Sequence, residues 1–128
     1  MPYIDWEYYS SLFNNISDEK EFNRECSKAA VYMDRYTAMR ARAFMKAYDD
    51  DGATDFQRMT ADAIRMTMCE LINNIAAQEA SDMGTGLASV SNEGYSESYR
   101  ITTASEKEAQ LVCVIKNGLS GTGLAGAL

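Results

Sequence analysis

The stretch Thr54–Glu79, TDFQRMTADAIRMTMCELINNIAAQE, decides the fold. It opens on a capping box, Thr54 to Gln57, in which each end of the first turn satisfies the other's free N–H. Behind it, Met59, Ala63 and Met66, together with Ile64, Met68, Leu71, Ile72 and Ile75, recur at helical spacing and form a wide apolar band. Such a band needs neighbours on more than one side, which predicts a central helix over 54–79, roughly 37 Å long. The only proline stands at position 2, so no proline interrupts a long helix.

Working outward, Asp5 is placed to cap a short helix over 5–13, with Trp6, Tyr9 and Phe13 on one face. Its aromatic side chains, with Tyr3 and Tyr8, suit packing onto the other helices or a contact between subunits. Asp18 and Glu21 form a second capping box. The helical pattern that follows runs through Phe22, Cys26, Ala29, Ala30, Met33, Met39, Ala43, Phe44 and Ala47, predicting a helix over 18–48. That is long for a globular protein, and a break is expected between Tyr36 and Met39. Met83-Gly84-Thr85-Gly86 reads as a loop. A third capping box, Ser105 to Glu108, predicts a helix over 105–117 carrying Ala109, Val112 and Ile115, with Gly118 as its left-handed C′ residue. The glycine-rich end, 118–128, reads as a flexible tail.

Between the last two helices lies a polar ribbon, 88–100. Asn92-Glu93-Gly94 reads as a three-residue hairpin loop, with Val90 opposite Ser96 and Ser91 opposite Tyr95. Neither face is apolar enough to cover a core, and a lone hairpin is marginal in water, so the segment is expected to be a mobile loop or to find backbone partners elsewhere. The fold expected is all-α: a small bundle of about four helices in one domain spanning 1–128, with a polar hairpin or loop and a flexible C-terminal tail.

Composition narrows the function classes. The net charge is −7, from 12 basic and 19 acidic residues. Nucleic-acid binders draw their affinity from a basic face, and none is evident. The densest basic stretch, Arg35, Arg40, Arg42 and Lys46, reads as a solvated helix face, with contact to an acidic partner as the alternative. Histidine is absent, which removes Ser-His-Asp and Cys-His nucleophile systems and the commonest zinc ligand. Cys26, Cys69 and Cys113 are far apart in sequence and form no CxxC pair, so free, mostly buried thiols are expected. DDDG at Asp49–Gly52 fails as a calcium loop: it would put Ala47 at ligand position 1 and Arg58 at position 12, where carboxylates are needed. The eight methionines read mainly as core filling. No membrane span and no secretory signal are expected. No catalytic residue, cofactor or metal ligand is singled out, and the chain is not expected to be an enzyme.

Four features in order carry a resemblance: the early aromatic helix with Tyr8-Tyr9, YMDRYTAMR (Tyr32–Arg40), ASVSNEGYSESY (Ala88–Tyr99) and LSGTGL (Leu119–Leu124). In this order the chain resembles the small head-tail connector (head-completion or adaptor) proteins of long-tailed bacteriophages. The ending Ala125-Gly126-Ala127-Leu128 departs from the family, where a bulkier or basic residue is expected. The resemblance implies a structural virion protein at the head-tail interface, made in the bacterial host cytoplasm. It implies a ring of about twelve copies that extends the DNA channel, with the portal protein and a tail-side completion protein as partners and DNA passing without sequence-specific binding. Carried over by position, Tyr95, Ser96, Glu97, Ser98 and Tyr99 become candidates for ring or tail-side contact. Leu119, Thr122, Gly123 and Leu124 become candidates for portal contact. An acidic channel wall fits DNA that must slide without sticking. The competing reading is a small acidic helical adaptor or regulator that binds another protein outside a virion.

Overall fold

A computed structural model describes residues 3–91 and 104–126. Five helices account for most of them: α1 (Trp6–Leu12), α2 (Glu19–Tyr36), α3 (Arg40–Ala47), α4 (Asp55–Ser91) and α5 (Ala104–Gly118). No strand occurs among the described residues.

α4 is the axis of the fold. It packs against α2, α3 and α5, and α2 packs against α1, α3 and α5 in turn. Its start is fixed by the reciprocal capping box: Gln57 N–H donates to Thr54 Oγ1 at 3.1 Å, and Thr54 N–H donates to Gln57 Oε1 at 2.9 Å. Ile64, Met68, Leu71, Ile72 and Ile75 are buried against Phe22, Cys26, Ala29 and Met33 of α2 and against Leu111 and Ile115 of α5. α1 is held by its aromatic face, with the rings of Trp6 and Tyr9 lying 5.5 and 5.2 Å from that of Phe22. The Tyr9 hydroxyl also donates to Asn73 Oδ1 of α4. Asp5 and Asp18 cap α1 and α2 as expected, accepting from Tyr8 N–H and Lys20 N–H.

Several expectations need correction. α4 does not stop at 79. It continues through the expected loop at Met83–Gly86 to Ser91. Glycine costs a helix about 1 kcal/mol relative to alanine but removes no hydrogen bond, so two glycines weaken the helix without ending it. Residues 88–91, the first four of the expected ribbon, are therefore helical; the rest of it, 92–100, lies outside the described residues. α5 begins at Ala104, so Ser105 lies inside the first turn rather than capping it. Glu108 pairs instead with Arg35 of α2 at 3.0 Å.

The C-terminal stretch 119–126 is not a loose tail. Leu119 is fully buried and Leu124 packs against the core. Gly121, Gly123 and Gly126 hold positive φ, a region that a Cβ disfavours, and so the chain winds tightly back onto the helices. Gly118 serves a different purpose from the one expected. It is the last residue of α5, with no positive φ, and a Cβ there would lie 2.1 Å from Thr67 Oγ1. The glycine lets α5 approach α4 closely.

The break between α2 and α3 falls at Thr37–Met39. Ala38 and Met39 both adopt left-handed backbone, φ 52° and 65°. Two consecutive non-glycine residues there are uncommon and cost energy. The surrounding bonds hold the turn: buried Thr37 donates through Oγ1 to Met33 C=O at 2.7 Å and accepts from Ala41 N–H at 3.3 Å. Arg42 of α3 grips Asp34 of α2 through both Nε and Nη2, at 2.9–3.1 Å.

Candidate functional site

The sequence candidates fall into two groups. Tyr95, Ser96, Glu97, Ser98 and Tyr99 lie outside the described residues. Leu119, Thr122, Gly123 and Leu124 form the C-terminal coil, which the fold brings to the α2–α3 turn. Thr122 organises the coil: its hydroxyl donates to Leu119 C=O at 2.6 Å and accepts from Leu124 N–H at 3.2 Å. Arg40, the first residue of α3, joins the two segments, donating from Nε to Thr37 C=O at 3.0 Å and to Leu124 C=O at 3.2 Å. Its guanidinium also fills the space beside Gly126, where a Cβ would lie 2.4 Å from Nη2. In this form of the chain Leu119 faces its own core, and only the coil's outer surface is open to a partner.

The basic stretch is exposed at Arg35, Arg40 and Lys46, as a solvated face requires, and its arginines also bond within the chain. Arg40 holds the coil, Arg35 pairs with Glu108, and Arg42 binds Asp34 while lying 5.2 Å above the Tyr3 ring. Tyr3 completes that cluster by donating its hydroxyl to Asp34 at 2.5 Å, which fastens the N-terminal segment to α2. Burial, and then the bond to Asp34, push the Tyr3 phenol above its ordinary pKa.

A second polar centre links α2 to α4. Glu25 is 1% exposed, accepts from Arg24 Nε at 3.0 Å through Oε1, and has no donor for its buried Oε2. Lys28 Nζ lies 3.6 Å from Glu25 and 3.2 Å from both oxygens of Glu79. Burial raises the Glu25 pKa, and the neighbouring Glu79 raises it further. Glu79 is shifted the other way, first by its hydrogen bond with Glu25 and then by Lys28. The opposite shifts come from two carboxylates held close together, one buried and one beside Lys28. Nothing in the sequence pattern marked Glu25, because an acidic residue at a buried helical position reads like its exposed neighbours Arg24 and Lys28.

Comparison with protein-family models, with characterised proteins and with solved structures finds no match. The geometry therefore stands on its own. Among the described residues no group of carboxylates and thiols could hold a metal ion, and no helix is long and apolar enough to cross a membrane. Cys26 and Cys69 are free and buried, with burial pushing the Cys69 thiol up to about 12; Cys113 is free and exposed.

Two further surfaces were not separable from the core by sequence. On the outer face of α4, Phe56, Met59 and Met66 are 52, 63 and 37% exposed, with Ala63 between them. Their 3-4-3 spacing is that of an interhelical seam, yet in sequence it merges with the buried band. Elsewhere, α2, α4 and α5 enclose a groove of about 410 Å³ lined by Val31, Tyr32, Ile75 and Leu111, with Lys28, Arg35 and Lys107 at its edges.

Proposed function

We propose that this chain is a structural head-tail connector of a tailed bacteriophage: a small helical bundle that assembles as a ring between portal and tail and extends the DNA channel. The observation that carries the reading is the joining of two of the stretches that bear the resemblance. YMDRYTAMR forms the end of α2 and the left-handed turn, LSGTGL coils back onto it, and Arg40 bonds the carbonyl of Leu124. Residues that stand far apart in the sequence thus make one small surface, suited to contact with another chain. The net charge of −7 supports a channel wall that repels DNA.

In this proposal the outward face of the coil meets the portal, and the residues Tyr95 to Tyr99 meet a neighbouring copy or the tail-side protein. Ordering a polar segment on assembly costs conformational entropy, which backbone bonds between subunits offset. The competing reading, a protein-binding adaptor outside a virion, draws on the exposed stripe of α4, since contiguous apolar surface marks interaction sites.

Deleting the gene from the phage or prophage that carries it, and imaging the particles by electron microscopy, separates the two. The connector role predicts DNA-leaking or tail-less heads beside free tails, restored when the protein is supplied. Intact tailed particles would remove it and favour the adaptor.

A further inference from the structure

We propose that the α2–α3 turn is an exchange hinge: when it straightens, the chain lends its α1–α2 half to a second copy, and two copies close reciprocally into a domain-swapped dimer. The inference rests on the turn and on the packing around it, not on the connector reading.

The turn is a bend in a stretch whose own chemistry favours a straight helix. Met39 N–H donates to Asp34 C=O at 2.8 Å and Ala38 N–H to Arg35 C=O at 3.3 Å, the bonds of a helix end that is ordinarily built on glycine. Here it is built on alanine and methionine, both in left-handed backbone, which a Cβ makes costly. Neither glycine nor proline occurs between positions 19 and 51, and alanine, methionine and arginine are among the best helix formers. One helix from Glu19 to Ala47, roughly 43 Å long, would release the strain. Short hinges under strain are where domain swapping arises.

What keeps the bend is side-chain bonding across it. Arg42 grips Asp34 at 2.9–3.1 Å. Residues eight apart on a straight helix stand about 12 Å from each other along the axis, so straightening breaks this pair. The other bonds near the turn move with one half. The Arg40 bond to Leu124 stays with α3–α5, and the Tyr3 bond to Asp34 stays with α1 and α2.

A single copy cannot straighten and keep its core. Swinging α2 off α4 and α5 would uncover Phe22, Ala29 and Met33 on one side and Met68, Leu71 and Ile72 on the other, all buried in the closed chain. Losing that burial far outweighs the relief of two backbone angles. The surface that fits each uncovered face is the same face of another copy, and this fixes the occupant. With α2 of a second copy in place the core is restored, the Tyr9 hydroxyl again meets Asn73, Lys28 again meets Glu79, and Arg35 again meets Glu108. The change is then confined to the turn. Two copies related by a two-fold axis satisfy each other, which closes the assembly. Exchange competes with closure inside one copy, whose effective concentration for a short linker is of order mM, so it belongs to concentrated chains.

The test uses a contact that joins the two halves. Lys28 Nζ lies 3.2 Å from both oxygens of Glu79, close enough for a carbodiimide to link them without a spacer. Unlabelled and isotope-labelled full chains are mixed, unfolded in denaturant and refolded at about 0.01 and about 1 mM. Monomer and dimer are separated by size, cross-linked, and the Lys28–Glu79 peptide is read by mass spectrometry. Refolding at the higher concentration should give a dimer that carries light–heavy peptides in the share set by random mixing, and the monomer should carry none. Ala38→Gly combined with Met39→Gly takes the bend without strain and weakens the straight helix; it should lower the dimer share several-fold while circular dichroism shows it folded. Concentrated refolding that yields no dimer overturns the proposal. So does a dimer whose Lys28–Glu79 cross-links stay within one isotope, which marks surface association, or a dimer share that the two glycines leave unchanged.

Discussion

Replacing Gly118 by alanine tests the close approach of α5 to α4. The added methyl would lie 2.1 Å from Thr67 Oγ1, 3.0 Å from its Cβ and 3.1 Å from its Cγ2. Thr67 is buried on α4 and its hydroxyl has no hydrogen-bond partner, so no bond to it is lost when the helices separate. Overpacking of this kind costs about 1–3 kcal/mol. Alanine's better helix propensity returns at most about 1 kcal/mol, and less at a terminal position. The net loss expected is about 1–2 kcal/mol, a Tm lower by about 3–10 °C for a chain of this size. Thr67→Ala removes Oγ1, which is both the worst clash and the orphan hydroxyl, together with Cγ2, and leaves only Cβ at 3.0 Å, so alone it should cost about 1 kcal/mol or less. Combined with Gly118→Ala it should recover about 1 kcal/mol, a non-additivity read from a double-mutant cycle by thermal melting. A Gly118→Ala protein that melts at or above the wild type, or a pair of changes that simply add, would refute the close-packing account.

Three other outcomes follow from the same structure. The raised pKa of Glu25 means that its share of stability is intact at low pH and lost as pH rises through the folded pKa; the lowered pKa of Glu79 gives a share lost as pH falls through its own. Glu25→Gln keeps the shape without the ionisation, so its Tm should decline less than the wild type's as pH rises above the ordinary carboxylate range; parallel curves would contradict the raised pKa of buried Glu25. Ala38→Gly relieves a left-handed alanine and should stabilise by about 0.5–1 kcal/mol despite the added freedom of the unfolded chain, measured by denaturant melts. Arg40→Ala removes the donor to Leu124 C=O and should speed amide exchange across 119–126 while α4 keeps its protection, as hydrogen exchange followed by mass spectrometry can show.

The helices were legible where local chemistry and pattern agree. Asp5, Asp18 and Thr54 begin the helices their cap chemistry predicts, and Phe22, Cys26, Ala29 and Met33 form the buried face of α2 that their spacing predicts. The break near Tyr36 was visible only as an unusual length, because Ala38 and Met39 are good helix formers. What ends α2 is side-chain bonding across the turn, the Asp34–Arg42 pair and the Thr37 hydroxyl, neither of which hydrophobic periodicity encodes. Glycine misled twice. At 84 and 86 it suggested a loop inside a continuing helix, and at 118 it suggested a left-handed cap where the need was contact with Thr67. The C-terminal coil read as tail because its glycines outnumber its leucines, yet two leucines and one arginine dock it. Of the candidate site, the coil residues could be named from the sequence, but not that Leu119 would be inside the core. The exposed stripe of α4 was hidden for the opposite reason: exposed methionines at seam spacing look the same as buried ones until neighbouring helices are in place.

The most direct test of the connector role is to locate the chain in the particle. Cryo-electron microscopy of the intact virion should show, between portal and tail, a ring whose repeating unit accommodates α2, α4 and α5 with the C-terminal coil at the α2–α3 turn. Mass spectrometry of the same particles should detect the protein in copies matching that ring. A head-tail junction built entirely from other chains, with this protein missing from purified particles, would contradict the account.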